Sequence, residues 1–196
     1  MRRRLSRFII LILVILFFLG SVYVIFSKPK MTFADKETMP TISRDQFIQQ
    51  IAPTIEEVAQ AYGIRPSVVI AQAILSSNNG SSYLARNYHN LFHTLAKKEE
   101  PTIKLFVKEY DGIEWKDTQK PFKIYSSWEE SVHDYMLIIQ EDDFWGEDLY
   151  LALVNAKDYQ SAARLLQDIG FSSDPQYAEK IIDLIDEEDL TRYDSE

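Results

Sequence analysis

Apolar side chains recur every three or four residues over most of the chain after residue 43, which predicts a largely helical domain. The first such stretch opens with a capping-box pattern at Ser43 and ends at Gly63. Pro53 lies inside it and predicts a kink or a break into two pieces. The second stretch, residues 66–77, is apolar on nearly every face, so we expect this helix at the centre of the core. Further helices are predicted at 82–87, after a second capping box at Ser127, at 159–169 and from Pro175 onward.

The periodicity changes in the middle of the chain, between about residues 103 and 125. Residues 103–110 and 113–116 flank Asp111 and Gly112, a pair that strongly indicates a β-hairpin. Residues 122–125 could add a third strand. Helices with one small inserted hairpin predict an α+β fold, mostly helical with a small β-hairpin lobe.

The N-terminal segment has the pattern of a membrane anchor. Residues 8–26 contain no charged side chain, and as a helix they would be about 28 Å long, close to the thickness of a hydrocarbon core. Four arginines precede them, which places the N-terminus in the cytoplasm and the remainder outside. A cleaved signal peptide is the alternative, but the apolar run is long and no small-residue cleavage site follows. We therefore predict a single-pass protein of the cell membrane with a cytoplasmic tail at 1–7, a transmembrane helix at 8–26, a tether at 27–42, an extracytoplasmic domain at 43–190 and an acidic tail at 191–196.

Charge narrows the choice of partners. Residues 31–196 carry 15 basic and 30 acidic side chains, a formal net charge of −15, so neither nucleic acid nor an anionic lipid surface is expected to bind them. The chain has no cysteine, which excludes disulfides and cysteine-ligated zinc. His89 and His93 flank Asn90 in a loop pattern without an evident third ligand. No metal site and no cofactor are predicted.

Four sequence blocks carry a family resemblance. Residues 71–80 read AQAILSSNNG, which resembles the signature A-Q-A-I-L-E-S-x-W-G of the bacterial cell-wall glucosaminidases, N-acetylglucosaminidases with a lysozyme-like fold. NYHNLF at 87–92, the segments EYDG and PFKIYSSWEES within 109–131, and DPQYAEKI at 174–181 are similar to further motifs of that family in the same order. The resemblance covers about residues 43–190 and implies a lysozyme-like domain whose glycan lies between the helical core and the hairpin lobe.

The resemblance also implies a chemistry, the hydrolysis of the β-1,4 bond between N-acetylglucosamine and N-acetylmuramic acid in peptidoglycan. Ser76 stands where the family has its proton-donating Glu, and Asn79 stands where it has Trp. A serine hydroxyl cannot act as the acid near neutral pH, because glycoside cleavage needs a carboxylic acid with a raised pKa. Glu109 matches the second acid of the family. The positions that match cleft residues are Gln72, Asn90, Phe92, Tyr110 and Tyr177.

Each of these assignments has an ordinary alternative. Ser76 could be a solvent-facing residue near a helix end, and Glu109 could be a polar residue beside a hairpin turn. The acids Glu99, Glu100, Asp111 and Glu114 are also in or near the lobe, but nothing in the sequence directs one toward a leaving oxygen.

Three functional hypotheses follow. The leading one is a domain that binds peptidoglycan glycan strands and cleaves them poorly or not at all, as a sensor or as a scaffold for membrane-bound cell-wall enzymes. The second is an active endo-β-N-acetylglucosaminidase in which Glu109 is the essential carboxylate. The third is a protein-interaction module that no longer binds sugar.

Overall fold

The structure is a computed structural model that describes residues 31–36, 42–141 and 147–194. No helix among these residues is long and apolar enough to span a membrane, and the segment predicted to do so, 8–26, lies outside them. The described part is helical with one antiparallel β-hairpin. The elements are α1 (Arg44–Ala61), α2 (Pro66–Ser77), α3 (Tyr83–Tyr88), β1 (Thr102–Tyr110), β2 (Trp115–Lys123), α4 (Trp128–Glu141), α5 (Glu147–Val154), α6 (Tyr159–Asp168), α7 (Tyr177–Glu187) and a 3₁₀ turn (Leu190–Tyr193).

Helix α1 forms the capping box that its sequence predicts. The Ser43 hydroxyl accepts the Gln46 N–H, and the Gln46 side chain accepts the Ser43 N–H, both at 3.2 Å. The helix continues through Pro53, so the predicted break into two pieces is wrong. Pro53 is exposed, and so is Gln49, whose carbonyl loses its helical partner. Water can satisfy that carbonyl, which is why the proline is tolerated.

Helix α2 lies at the centre of the core, as its uniformly apolar sequence predicts, and most of its residues are buried. Its N-terminus is capped from the other end of the chain. The Asp194 carboxylate accepts hydrogen bonds from the Ser67 N–H at 2.9 Å and the Ser67 hydroxyl at 2.8 Å. Leu190 is completely buried. The described part of the predicted acidic tail, 191–194, therefore belongs to the folded domain.

Around α2, the core consists of two clusters of buried apolar residues. The larger one is formed by the helices. The smaller one lies under the β-lobe. Gly80, just after α2, has φ +71°, and a Cβ there would lie 2.8 Å from the rings of Phe47 and Trp128. Only glycine fits this position, because both the backbone angle and the two rings exclude a side chain.

The hairpin differs from its prediction in two respects. Strand β2 runs from Trp115 to Lys123 and includes Phe122, so the second strand is longer than predicted and 122–125 is not a separate strand. The turn between the strands is also longer than the two residues Asp111 and Gly112. The Asp111 carboxylate accepts the N–H groups of Ile113 and Glu114, each at 2.9 Å, which stabilises the wider turn.

Residues 32–36, which we call the strap, run along the edge of β1. The Ala34 N–H donates to the Phe106 carbonyl at 2.8 Å, and the Phe106 N–H donates to the Thr32 carbonyl at 2.9 Å. On its other side the strap accepts the N–H groups of Tyr83 and Leu84 from α3. Ala34 is completely buried in the cluster under the lobe. The expectation of a free tether over 27–42 is therefore wrong for these residues, because they are bonded to both the lobe and a helix.

The C-terminal helices begin close to their predicted positions, with small differences at the caps. At α4 the Ser127 hydroxyl accepts the Glu130 N–H at 3.2 Å, but the Glu130 carboxylate accepts the Ser126 N–H instead of completing the capping box. Helix α6 is capped by Asp158. Helix α7 begins at Tyr177, two residues later than the predicted start at Pro175.

Candidate active site

Ser76 lies in the last turn of α2 and is partly exposed. Its hydroxyl oxygen is 2.6 Å from the Gln72 carbonyl and 2.5 Å from the Leu91 carbonyl. A hydroxyl has one proton, so it donates to one of these carbonyls at a time. Ser76 therefore connects the end of the central helix to the loop after α3 and is not simply a solvent-facing residue.

Gln72, one turn before Ser76, is buried with Tyr177 of α7. The Gln72 amide donates to the Tyr177 hydroxyl at 3.1 Å. Burial raises the pKa of the Tyr177 hydroxyl, although the bond from Gln72 opposes the shift. Burial also raises the pKa of the Tyr135 hydroxyl, which has no well-formed hydrogen bond among the described residues. These three residues and Ser76, which we call the helical group, are therefore uncharged near neutral pH.

The structure gives Asn90 and Phe92 supporting roles instead of the expected cleft-lining ones. Asn90 is completely buried, and its amide donates to the carbonyls of Thr94 and Lys123, both at 2.9 Å. Its oxygen accepts the Thr94 N–H at 3.0 Å. Phe92 is 9% exposed and stacks on Tyr135, with ring centroids 4.0 Å apart. Both residues position the loop whose Leu91 carbonyl meets Ser76, so their effect on the site is indirect.

Glu109 and Lys120 form a second, charged group on the lobe, which we call the lobe group. Glu109 continues the inward-facing positions of β1, its side chain is 34% exposed, and it is ion-paired with Lys120 of β2. The adjacent Tyr110 donates its backbone N–H to the Ser173 hydroxyl at 3.2 Å, in the loop before α7. The sequence predicted Glu109 and Tyr110 but gave no sign of Lys120 or Ser173, because neither belongs to the motifs.

Two of the other lobe acids, Asp111 and Glu100, are engaged in contacts within or at the base of the lobe. Asp111 is 2.5 Å from the Lys116 ammonium and also accepts the two turn N–H groups. Glu100 is paired with Lys123 at 2.9 Å. These contacts give no support to either acid as a proton donor.

Three comparisons with known proteins agree with this geometry. Residues 52–190 match the family model described as mannosyl-glycoprotein endo-beta-N-acetylglucosaminidase. This chain belongs to the glucosaminidase family. It is 35% identical over 157 residues to a probable N-acetylmuramidase of Lactococcus lactis subsp. cremoris, covering 79% of this chain and 36% of that protein. It is 31% identical over 159 residues to the exo-glucosaminidase LytG of Bacillus subtilis, covering 81% of this chain and 56% of that protein.

The solved structures show the same lysozyme-like peptidoglycan-hydrolase fold. The catalytic domain of the autolysin Auto from Listeria monocytogenes matches with a TM-score of 0.68 and 31% identity, covering 80% of this chain and 91% of that one. The family therefore supplies the fold of this chain. The chain spans between about a third and just over half of the length of the two relatives named above.

Within the glucosaminidase family pattern, the Asn78–Asn79 pair has a structural explanation. Asn78 ends α2 at φ 49°, a left-handed conformation that asparagine tolerates better than most residues. The Asn79 side chain accepts a hydrogen bond from Arg44 at 3.3 Å, and Arg44 also pairs with Glu188 at 2.7 Å. Asn79 thus belongs to a polar cluster that joins α1 to the end of α7. Of the departures from the motif, Ser76 is the one at the position that the resemblance assigns to the acid.

Two other features are separate from this site. His89 contacts the Tyr125 carbonyl and His93 contacts Asp35, so the two rings have different partners. No metal-binding cluster of His, Cys, Asp or Glu is present in the described part of the chain.

An open cavity of about 450 Å³ lies between α1, α3 and the start of α4. Ser76 and Glu109 do not line it. The cavity therefore does not identify the glycan site.

Proposed function

We propose that this chain is a membrane-anchored glucosaminidase-family domain that binds peptidoglycan glycan strands and hydrolyses them poorly or not at all. Ser76 carries this proposal, because the residue at the position of the proton donor has a hydroxyl that binds backbone carbonyls. Removing a general acid lowers the rate by a factor on the order of 10² to 10⁴. A domain that keeps the fold without the acid is suited to sensing glycan or to positioning cell-wall enzymes.

The chemistry of the helical group supports glycan binding by neutral contacts. Gln72 and Tyr177, which are 3% and 8% exposed, form an uncharged hydrogen-bonding pair one helical turn before Ser76. Among the relatives, the peptidoglycan hydrolase FlgJ of Pseudomonas aeruginosa is 30% identical over 145 residues, covering 71% of this chain and 35% of that protein. By analogy we infer peptidoglycan as the ligand here.

One observation favours the second hypothesis, a working hydrolase. Glu109 is partly exposed on the inward face of β1 and could reach a bound sugar. Its ion pair with Lys120 engages the carboxylate with a cation, an arrangement that suits a base better than a proton donor. An active enzyme would therefore still need a proton donor from the substrate or from another residue.

The two hypotheses are separated by assaying the full-length chain on purified peptidoglycan, with reducing ends and released muropeptides measured together. We expect wild type to stay at background and Ser76→Glu to gain at least about a hundredfold, the lower range of general-acid catalysis. Ser76→Gln is the matched control, because it has nearly the same size and cannot donate an acidic proton. Robust wild-type turnover that disappears in Glu109→Gln would instead establish the hydrolase.

Binding is tested separately by pull-down with isolated glycan strands. We expect weak binding that changes little with salt, because neutral hydrogen bonds are not screened. Tyr177→Phe should weaken this binding, because it removes only the hydroxyl. Truncation to Ala is unsuitable, since Tyr177 is only 8% exposed and its loss would damage the core. Absence of binding by wild type would favour the protein-interaction module.

The membrane anchor is a separate part of the proposal and depends on residues 8–26, whose uncharged length and preceding arginines support it. We expect the mature protein to keep its first residues and to expose the C-terminal domain outside the cell. The cell wall, and any outer membrane, is first removed so that protease can reach the cell membrane. Protease treatment of these intact cells should then remove that domain. A mature N-terminus mapped after residue 26 would show that the segment is a cleaved signal peptide.

A further inference from the structure

The β-hairpin has an outer face, turned away from the buried residues of β1, that carries four aromatic rings. Because side chains alternate along a strand, Phe106 and Tyr110 share this face, whereas the positions beside Phe106 are buried. Trp115 is directly opposite Tyr110 across the hairpin, and Phe33 of the strap is paired with Phe106. The ring centroids are 5.6 Å apart in the first pair and 5.9 Å apart in the second. We call these four rings the aromatic row.

The outer face is open to solvent and carries polar groups between the rings. On β2 its residues are all exposed, namely Trp115, Asp117, Gln119 and Pro121. The Lys108 ammonium is 5.7 Å from the centroid of the Phe33 ring and 2.8 Å from the Asp117 carboxylate. Gln119 is directly opposite Phe106. Aromatic surface and hydrogen-bonding groups therefore alternate along this face.

This mixture of groups matches the chemistry of a sugar ring. A pyranose presents C–H groups on its two faces and hydroxyl groups around its rim, so it can stack on an aromatic ring while its rim hydroxyls bond to Lys108 and Gln119. Phe106 and Tyr110 are about 14 Å apart along β1, which leaves room for more than one sugar. A lipid surface or a protein partner would favour a continuous apolar patch, which the polar groups interrupt.

Charge also favours a glycan at the hairpin over the rest of the domain. N-acetylmuramic acid carries a carboxylate, which a strongly acidic surface repels. Residues 102–123 hold five of the 15 basic side chains of residues 31–196 but only four of the 30 acidic ones. The hairpin is therefore nearly neutral in a domain that is otherwise strongly acidic, and a glycan strand can lie there without that repulsion.

We propose that the outer face of the lobe is a second glycan-binding surface, on which sugar rings stack against the aromatic row. Glu109 faces inward and the aromatic row outward, so this surface is separate from the candidate active site. The inference rests on the proposed function for the identity of the ligand, but it uses none of the residues of the helical group. Trp115 is the principal contact, because it is 49% exposed and lies near the end of the hairpin.

Variants of Trp115 test the stacking, with the full-length chain and isolated peptidoglycan glycan strands in a binding titration. We expect Trp115→Leu, which keeps an apolar side chain without a ring, to weaken binding about fivefold, the effect of one aromatic contact. Trp115→Tyr retains a ring and should bind nearly as wild type does. Ile113→Ala is the control, since Ile113 is 86% exposed in the turn and has no ring. Its affinity should not change.

The outcomes of this titration separate the inference from the proposed function. Wild-type affinity in Trp115→Leu would overturn the inference while leaving glycan binding intact. An equal loss in Ile113→Ala would also overturn it, because the contact would then be a general apolar one. If wild type binds no glycan, both the proposed function and this inference are wrong.

Hydroxyl-radical footprinting of the full-length chain in phosphatidylglycerol nanodiscs tests whether the surface is separate from the candidate site. We expect saturating glycan to protect Trp115 from oxidation in wild type and in Tyr177→Phe alike. Loss of this protection in Tyr177→Phe would show that Trp115 is not part of a surface of its own. If the nanodisc already protects Trp115 before glycan is added, compared with the chain in detergent, the outer face meets lipid and the inference is wrong.

Discussion

The helical part is held together by buried apolar contacts, whereas the lobe depends more on backbone pairing and ion pairs. Phe47 is completely buried and packs edge-on against Trp128, with ring centroids 5.4 Å apart. In the lobe, Lys120 is paired with Glu109, and Lys123 with Glu100 and Asp134. Buried apolar contacts respond little to pH or salt, whereas partly exposed ion pairs respond to both. The two sides of the site should therefore differ in stability and in what perturbs them.

The largest expected effect is in the helical core. Phe47→Ala removes a completely buried ring, and we expect it to lower the free energy of unfolding by about 3–5 kcal/mol. Denaturant unfolding of the full-length chain, followed by tryptophan fluorescence, measures this change. Leu137→Ala is the control, since Leu137 is 42% exposed and should change stability by less than about 0.5 kcal/mol. A loss below about 1 kcal/mol for Phe47→Ala would contradict the central role of this cluster.

A second, smaller effect is expected where the chain end caps the central helix. Asp194→Ala removes the acceptor for two hydrogen bonds to Ser67, so we expect a loss of about 1–2 kcal/mol in the free energy of unfolding. Asp194→Asn is the control, because its remaining amide oxygen can still accept the Ser67 N–H. Equal losses in both variants would show that the negative charge is essential, through the helix dipole or through Arg65, which lies 3.9 Å away.

The cap at Asp194 also illustrates why sequence reasoning predicted the helices better than the details of the lobe. Helical periodicity and the capping box at Ser43 are local patterns, so they could be recognised without the tertiary structure. The cap joins residues that are 127 positions apart. The strap is held mainly by backbone hydrogen bonds, which leave no side-chain signature. Strand β2 was cut short in the prediction because much of it is polar and exposed.

In the candidate site, too, local sequence patterns predicted some features, whereas others depend on the tertiary structure. The motif identified Ser76, Gln72 and Tyr177, and the structure brings Gln72 and Tyr177 into direct contact. The motif could not show which of its residues face a ligand and which support the loop. Asn90 was therefore assigned to the cleft, although its side chain is completely buried against backbone groups of Thr94 and Lys123. The direction in which a side chain points depends on tertiary packing, which the spacing of motif residues does not encode.

A third prediction concerns the strap. Ala34→Glu should detach it, because an unpaired carboxylate is too costly to bury at this position. The chain entropy that the strap regains on detachment largely offsets its lost hydrogen bonds, so we expect the free energy of unfolding to fall by no more than about 1 kcal/mol. Hydrogen exchange should show lost protection at the Phe106 amide, whose acceptor is in the strap. Lys36→Glu adds the same carboxylate at an exposed strap position and should leave that amide protected.

The smallest expected effect is a dependence of lobe stability on pH. The ion pair with Lys123 lowers the pKa of Glu100. Burial opposes the charge on Lys123, but its pairs with Glu100 and Asp134 outweigh burial and raise its pKa. The stabilisation from Glu100 is therefore fully present above the ordinary glutamate pKa of about 4.3 and is lost as pH falls through its lower folded value. The stabilisation from Lys123 is present below the ordinary lysine pKa of about 10.4 and is lost as pH rises above it.

We expect acidification from pH 7 to below that glutamate value to weaken the lobe by about 0.2–1 kcal/mol, the range for partly exposed ion pairs. Hydrogen exchange of the β1 and β2 amides, corrected for the intrinsic pH dependence of exchange, measures the loss. Lys123→Met should reduce it, because Glu100 then loses the hydrogen bond that contributes most to lowering its pKa. Lys104→Met, at an exposed position of β1, is the matched control and should behave as wild type. If Lys123→Met loses as much lobe stability on acidification as wild type does, the stability of the lobe does not depend on this ion pair.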